Sequence, residues 1–305
     1  MLKLTHITLI SILSASSLWV VPAWAEEQQK QAPHEQKWGG HIEFEAKKGN
    51  QRTLQETEFF IPLEQDTNSL MFLDIRSMLD NQQSREGNIG LGYRTILDMP
   101  FLGQQWIAGI YGFADLRRSP NDNTFLQATM GGEFLSEDYD ARLNVYIPEA
   151  NQKELPGTDN VTGTLSGTQL RLIGTANQRE RALPGFDAEV GVKLPVLEEN
   201  ISSVRLYGGG YYFDADGYDE VSGPRGRFEV NWDDVPVFGQ DSRFTLGAEI
   251  QHDNVRGRTA FALARLRIPL QSFKKQKQHS SYLSALERRM TERVVRDIDI
   301  VSNTF

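Results

Sequence analysis

Apolar and polar side chains alternate along most of this chain, in short runs that turn residues separate. From Arg243 to Gln251, one face carries Phe, Leu, Ala and Ile, and the other carries Arg, Thr, Gly, Glu and Gln. Because successive side chains of a strand point to opposite faces, this alternation predicts a strand with one apolar and one polar face. About twelve such runs follow one another, each roughly 8–11 residues long, which is enough to cross a membrane at a tilt.

Two folds use strands of this kind. A soluble sandwich turns the apolar face toward a core, whereas an outer-membrane barrel turns it toward lipid and lines its lumen with the polar face. Sandwich strands average about 5–6 residues, which is shorter than these runs. The polar faces also hold mixed charges and glycines rather than many lysines. The pattern therefore predicts an all-β fold, a transmembrane antiparallel β-barrel of about 12 strands.

The polar faces of these runs supply the side chains that we expect to line the lumen. They alternate with the apolar positions, so a closed barrel would point them inward. These residues are Glu43, Asp74, Arg76, Arg94, Glu133, Arg142, Glu189, Arg227, Glu229, Glu249, Arg265 and Arg267.

A long polar stretch lies between Pro148 and Pro184. It contains a thirteenth candidate strand at residues 168–175, which we interpret as an extension of a surface loop. If that segment spanned the membrane instead, the even strand count typical of bacterial barrels would be lost.

The alternation ends at Pro269. Residues 273–279 are basic and polar, Tyr282 to Met290 has helical spacing of apolar residues, and Arg293 to Val301 has the pattern of an extended segment. A ten-residue helix covers roughly 15 Å and fifteen extended residues about 50 Å, so either part can contribute to crossing a bilayer of about 45 Å. The sequence allows both a linker inside the lumen and a solvated basic tail.

Inside the lumen, the linker would act as a plug. Its arginines could then pair with lumen acids such as Glu43, Glu133, Glu229 and Glu249. The predicted plug residues are Tyr282, Leu286, Arg288, Arg289, Arg293, Arg296 and Asp297.

The first residues have the three regions of a secretory signal. Lys3 precedes an apolar stretch from Ile7 to Val21, and Ala23-Trp24-Ala25 is a small-residue cleavage site at Ala23 and Ala25. The apolar stretch is too short for a comfortable membrane span. We therefore predict a signal peptide at 1–25 for Sec-type export, a short polar segment at 26–36, the barrel at 37–269 and the linker at 270–305.

Composition excludes several kinds of chemistry. The net charge of −9 argues against nucleic acid as a partner, and the lack of cysteine excludes thiol nucleophiles. Asp214 to Asp219 resembles part of a calcium loop but lacks its glutamate, so we interpret it as a turn. His252 and Asp253 could act as a base with its orienting acid, but no G-x-S-x-G motif of a serine hydrolase accompanies them. We predict no enzyme activity, no metal, no cofactor and no identifiable small-molecule substrate.

Five stretches of the chain, in order, resemble the β-domain of the intimin/invasin family, the inverse autotransporters. They match the family patterns N-x-G-x-G-x-R, G-x-N-x-F-x-D, G-x-E, N-x-Y and G-F-D, and residues 292–301 resemble the family linker. The stretches are Asn88–Arg94, Gly109–Asp115, Gly131–Phe134, Asn144–Pro148 and Pro184–Asp187.

The resemblance implies a type V secretion translocator in the Gram-negative outer membrane. It implies contact with outer-membrane lipid and assembly by the barrel-assembly machinery and periplasmic chaperones. In the family, the linker plugs the pore and leads outside to a C-terminal passenger, which the barrel anchors and exports. The first strand of the barrel would begin, and the last strand would end, on the periplasmic side.

Two departures from the family affect the expected function. The chain ends at Phe305, where a passenger would begin, and no LysM module precedes the barrel. We therefore expect a standalone or remnant translocator without a passenger. The alternatives are a porin-like channel or a structural outer-membrane protein, and a membrane hydrolase is disfavoured by the few histidines.

Overall fold

The computed structural model describes residues 37–99, 103–155, 161–166, 169–174, 178–195, 200–270, 283–297 and 299–304. The predictions for the signal peptide with Ala23 and Ala25, for residues 26–36 and for Tyr282 lie outside these ranges. Among the described residues, no helix is long and apolar enough to cross a membrane.

Seventeen strands occur in the described residues. In chain order they are β1 His41–Gly49, β2 Thr53–Gln65, β3 Ser69–Asp80, β4 Arg85–Met99, β5 Gln104–Arg118, β6 Thr124–Leu135, β7 Tyr139–Pro148, β8 Gln152–Glu154, β9 Val161–Ser166, β10 Gln169–Gly174, β11 Arg179–Ala182, β12 Gly185–Leu194, β13 Ser203–Phe213, β14 Val221–Asp233, β15 Arg243–Asp253, β16 Gly257–Pro269 and β17 Ser302–Thr304.

Twelve of the described strands form one closed antiparallel barrel, β1 to β7 followed by β12 to β16. Strand β7 pairs with β12, and β1 closes the barrel on β16 with His41 opposite Pro269. Closure leaves the sheet without an edge, so the backbone groups of every strand can pair within the wall. The predicted fold is confirmed, and its strands have 9–15 residues.

The excursion between β7 and β12 carries four short strands outside the barrel. Strands β9 and β10 form a hairpin, and β11 lies between β8 and β17 in a three-stranded sheet. The thirteenth candidate corresponds to β10, which pairs with β9 and not with the wall. The even strand number of the barrel is therefore kept.

The two faces of the wall differ as a membrane barrel requires. Large apolar side chains such as Ile110 and Val190 are 67% and 64% exposed on the outer face. Charged side chains such as Arg94 and Glu133 are fully buried on the inner face. Apolar groups outside and charges inside fit a lipid-facing surface around a polar lumen.

Some glycines of the inner face make room for aromatic rings of the neighbouring strand. Gly92 lies directly opposite Phe72, and a Cβ at Gly92 would be 2.2 Å from that ring. Gly131 is related to Tyr111 in the same way. Glycine in a strand often marks a site of close approach, and here it lets the rings lie flat against the wall.

The barrel has two ends, which we name from the course of the chain. The near end contains the start of β1, the end of β16 and the turns between β2 and β3, β4 and β5, and β6 and β7. The far end contains the turns between β1 and β2, β3 and β4, and β13 and β14, together with the long excursion after β7.

Candidate functional site in the barrel lumen

The described part of the linker, residues 283–297 and 299–304, begins at the near end. A 3₁₀ helix, Glu287–Thr291, lies against Trp38, whose Nε1 donates a hydrogen bond of 2.9 Å to the Glu287 carbonyl. Lys37 Nζ is 2.6 Å from the Glu287 carboxylate, and this bond lowers the pKa of Glu287 below its ordinary value. These contacts hold the start of the linker at the mouth of the barrel.

An apolar cluster holds this part of the linker. Three linker side chains pack with Ile107, Leu135 and several aromatic side chains of the wall. Burial of a side chain of this size is worth roughly 1.5–3 kcal/mol. The linker members of the cluster are Leu286, Met290 and Val294.

Arg94 of β4 joins the apolar part of the linker to its charged part. Its guanidinium donates to the carbonyls of Met290 and Glu292 at 2.9 and 2.6 Å and to the Glu133 carboxylate at 2.6 Å. It also stacks on Phe72. One buried wall residue thereby satisfies two linker carbonyls that have no sheet partner.

In the middle of the lumen the linker is held by charges and by backbone contacts. Arg296 is 2.9 Å from Asp115 and stacks on the Phe113 ring. The Val295 carbonyl accepts a bond of 3.1 Å from Asn144, and the Asp297 amide donates to the Tyr146 hydroxyl at 2.6 Å. Extended backbone inside the lumen is therefore satisfied by side chains of the wall.

At the far end the linker leaves the wall and joins the three-stranded sheet of β8, β11 and β17. Asp299 forms an ion pair with Arg52, and the Ile300 amide donates to Glu86 at 3.0 Å. The Leu183 amide then donates to the Val301 carbonyl at 2.8 Å, and β17 pairs with β11. The linker thus runs through the whole lumen and ends beside the long excursion.

Little free space remains around Arg293 and Val295 of the linker. Two cavities beside Arg293 and Val295 have volumes of about 50 and 30 Å³. A cavity of this size holds one or a few water molecules. A second polypeptide segment has no room beside the linker in this arrangement.

The predicted lumen residues lie on the inner face, and all but the half-buried Glu249 and Arg265 are buried. Most of them pair with other wall residues. Glu133 is near Arg94 and Arg142, and Glu249 is 3.1 Å from Lys47. Further wall pairs include Asp74–Arg76, Arg142–Glu189, Arg227–Glu189, Arg227–Glu229, Arg265–Glu45 and Arg267–Glu43.

The predicted plug residues divide between the mouth and the lumen. Leu286 and Arg289 are buried at the near end, whereas Arg288 lies at its rim and contacts Asp234 at 3.1 Å. Of the acids proposed as partners for the linker arginines, Glu43 lies 3.8 Å from Arg293. In the described part of the chain, Glu133, Glu229 and Glu249 form their ion pairs with wall residues instead.

Sequence reasoning missed several wall residues that contact the linker. The sequence contained one signal for them, because Glu43 and Glu45, like Glu56 and Glu58, are two positions apart and so share a strand face. Nothing in the sequence indicated which acids would face the linker. The missed residues include Glu45, Arg52, Glu56, Glu58, Glu86, Asp115, Arg117, Asp140, Asn144, Tyr146, Arg225 and Arg243.

A family model described as the inverse autotransporter beta-domain matches residues 25–238. The chain belongs to the inverse autotransporter β-domain family. The match ends at the turn after β14, so it includes neither β15 and β16 nor the linker. No curated protein matches the chain.

Solved structures resemble this barrel at low identity. A membrane protein from a study of in-meso crystallization is 17% identical, with a TM-score of 0.60, and the match covers 88% of this chain and 100% of that one. An outer membrane channel from Pseudomonas putida F1 is 8% identical with a TM-score of 0.46, over 76% and 94% of the two chains. The NalP translocator domain from Neisseria meningitidis is 9% identical with a TM-score of 0.39, over 77% and 90%.

The family and the fold together describe a translocator-type barrel of the outer membrane. Family membership confirms the resemblance that the five ordered stretches suggested. The first of the solved structures supports the fold alone.

Proposed function

We propose that this inverse autotransporter β-domain anchors a polypeptide in the outer membrane and exports the segment that follows its linker. The observation that carries the proposal is the course of the linker, which starts at Trp38 of the near end and finishes in β17 of the far end. A chain that follows this path is delivered across the membrane by its own barrel.

The orientation follows from the unequal ends. Outer-membrane barrels have long extracellular loops and short periplasmic turns. The longest described connection of this barrel is the excursion from β7 to β12, and it belongs to the far end. We therefore place the far end, with β17, at the cell surface and the near end, with Trp38, in the periplasm.

Labelling of single cysteines in intact cells tests this topology. The natural chain has no cysteine, so each introduced thiol is the sole target of a membrane-impermeant maleimide. Thr304→Cys, exposed in β17, should be labelled as readily as Asp216→Cys in the far-end turn after β13. Thr67→Cys, in the near-end turn after β2, should be labelled only after the outer membrane is broken.

Protection of Thr304→Cys in intact cells, with Asp216→Cys labelled, would contradict the proposal. The linker would then end in the periplasm. A tag placed after Phe305 gives an independent readout of the same topology, with a periplasmic reporter as its control.

A porin-like channel is the second candidate, because a lumen lined by charges could conduct ions if the linker left it. The packing around Arg293 and Val295 favours a closed pore in the intact chain. Deleting residues 270–305 should raise the conductance of the barrel in planar bilayers. Equal conductance with and without the linker would contradict the plug.

The remaining roles are part of the same proposal. Outer-membrane lipid is the expected partner of the apolar outer face, on which Ile110 and Val190 are exposed. Sec-type export and assembly by periplasmic chaperones and the barrel-assembly machinery follow from the family. Lack of enzyme activity stays a prediction.

A further inference from the structure

Four glutamates surround the guanidinium of Arg293. Its Nε is 3.6 Å from Glu58, its Nη1 is 3.8 Å from both Glu43 and Glu45, and its Nη2 is hydrogen-bonded to Glu56. All four carboxylates are buried on the lumen face of β1 and β2. One planar cation therefore faces several carboxylates through three differently directed nitrogens.

Two of these glutamates have stronger partners in the wall. Glu43 accepts from Arg267 at 3.0 Å, and Glu45 is 2.6 Å from Arg265. Their negative charge is balanced without Arg293.

Glu56 and Glu58 depend on Arg293 much more closely. Among the described residues, Arg293 forms the one ion pair of Glu56. Within the same part of the chain, neither oxygen of Glu58 has a hydrogen-bond partner, although the side chain is completely buried. Arg76 is 3.7 Å from Glu58, but it is directed at Asp74 through bonds of 2.9 and 2.6 Å.

We infer that Glu56 and Glu58, with Glu43 and Glu45 beside them, form a guanidinium-binding site in the lumen. Arg293 of the linker fills this site in the structure, and a free guanidinium ion binds there when that side chain is removed. The described residues contain no group of acidic or histidine side chains arranged to hold a metal ion. The ligand class follows from the guanidinium that fills the site, and it is an organic, planar cation.

The geometry also explains why arginine and not lysine occupies the site. A guanidinium presents donors in a fixed plane and can reach Glu56 and Glu58 together, about 7 Å apart along one strand face. An ammonium group is a point charge and cannot direct donors to both at once. The site would thus set the register of the linker in the pore.

The test uses the full chain with Arg293→Ala in planar bilayers. Removing one partner of a buried ion pair is strongly destabilising, so the time that the pore spends open should rise by at least about tenfold. Millimolar guanidinium chloride should reverse most of that increase. Methylammonium or sodium at equal ionic strength should not reverse it. The pore of the Arg293→Lys variant should be open as often as that of Arg293→Ala.

Two variants act as controls. The double variant Glu56→Gln with Arg293→Ala should lose the response to guanidinium because the principal acceptor is gone. Arg296→Ala should not respond, because Asp115 keeps its hydrogen bonds from Asn88 at 2.8 Å and Thr129 at 2.5 Å.

A second readout is the thermal unfolding midpoint in micelles, which guanidinium should raise for Arg293→Ala and leave unchanged for Arg296→Ala. If Arg293→Ala does not fold, Arg293→Gln replaces it in both measurements. An equal response to methylammonium would overturn the inference, since the site would then recognise charge alone.

The conductance readout rests on the proposed function, whereas the thermal readout does not. A thermal response without any conductance change would support the site and contradict the plug. External labelling of Thr304→Cys together with no response in either readout would support the threaded linker and overturn the site.

Discussion

The linker is held in two different ways along its length. Near the mouth, Leu286, Met290 and Val294 pack into a cluster of aromatic and aliphatic side chains. Deeper in the lumen, ion pairs with wall side chains hold the linker residues Arg293, Arg296, Asp297 and Asp299.

This difference gives the two parts of the linker different roles, one in its stability and the other in its register along the pore. Apolar burial is non-directional and roughly proportional to area, so the cluster could tolerate a small shift of the linker. A buried charge that loses its partner is strongly destabilising, so each ionic contact is satisfied in few positions of the linker. The apolar part would hold the linker in the pore, and the charged part would decide where it stops.

Arg94→Ala should have the largest effect, because Arg94 contacts both parts of the linker. Its loss leaves the buried Glu133 and two linker carbonyls without their donor, which should cost about 3–5 kcal/mol. Urea unfolding in lipid vesicles measures this cost. Arg118→Ala at an exposed far-end turn is the control, and similar losses for the two variants would contradict the role of Arg94.

Met290→Ala tests the apolar part alone. Met290 is fully buried in the cluster, so truncation should cost about 2–5 kcal/mol in the same unfolding experiment. Val237→Ala, which changes an 84% exposed side chain, should be nearly neutral. A neutral Met290→Ala would show that charges alone hold the linker.

Gly92→Ala tests the wall beneath the cluster. The new Cβ would meet the Phe72 ring at 2.2 Å, and forcing extra volume into a packed site typically costs about 1–3 kcal/mol. Gly112→Ala is the matched control, since its nearest neighbour would be 3.7 Å away. If both variants have the same unfolding midpoint, the ring does not need the glycine.

The smallest effect should come from pH at the mouth. The hydrogen bond from Lys37 lowers the pKa of Glu287, so its contribution is present above the ordinary carboxyl pKa and is lost as pH falls through the lowered value. An exposed pair is worth at most about 1 kcal/mol. Glu287→Gln should slightly reduce the loss of unfolding free energy at acidic pH. An unchanged dependence of the unfolding free energy on pH would contradict this assignment.

Much of the wall could be predicted from the sequence. The alternation around Phe244 gave strand, face and length, and the length favoured a barrel over a sandwich. The long polar stretch between Pro148 and Pro184 predicts a loop, and β10 does lie outside the barrel. These features are local, because a strand exposes its period of two in its own residues.

The partners inside the lumen could not be predicted in the same way. Arg293 was recognised as a candidate, yet its principal partners, Glu56 and Glu58, were not. Arg288 has the same charge and lies a few residues away, but it remains at the rim. Sequence spacing gives the face of a strand and leaves open which strands stand opposite the linker.

Local patterns are enough to predict the two-faced strands, their approximate number and the charged linker. Those properties depend on near neighbours and on the requirement that backbone groups in lipid pair within a closed sheet. The folded barrel is needed to show that the linker crosses the lumen, that Arg293 meets four glutamates and that β17 joins β11. These contacts join residues far apart in sequence, and barrel closure and strand register alone bring them together.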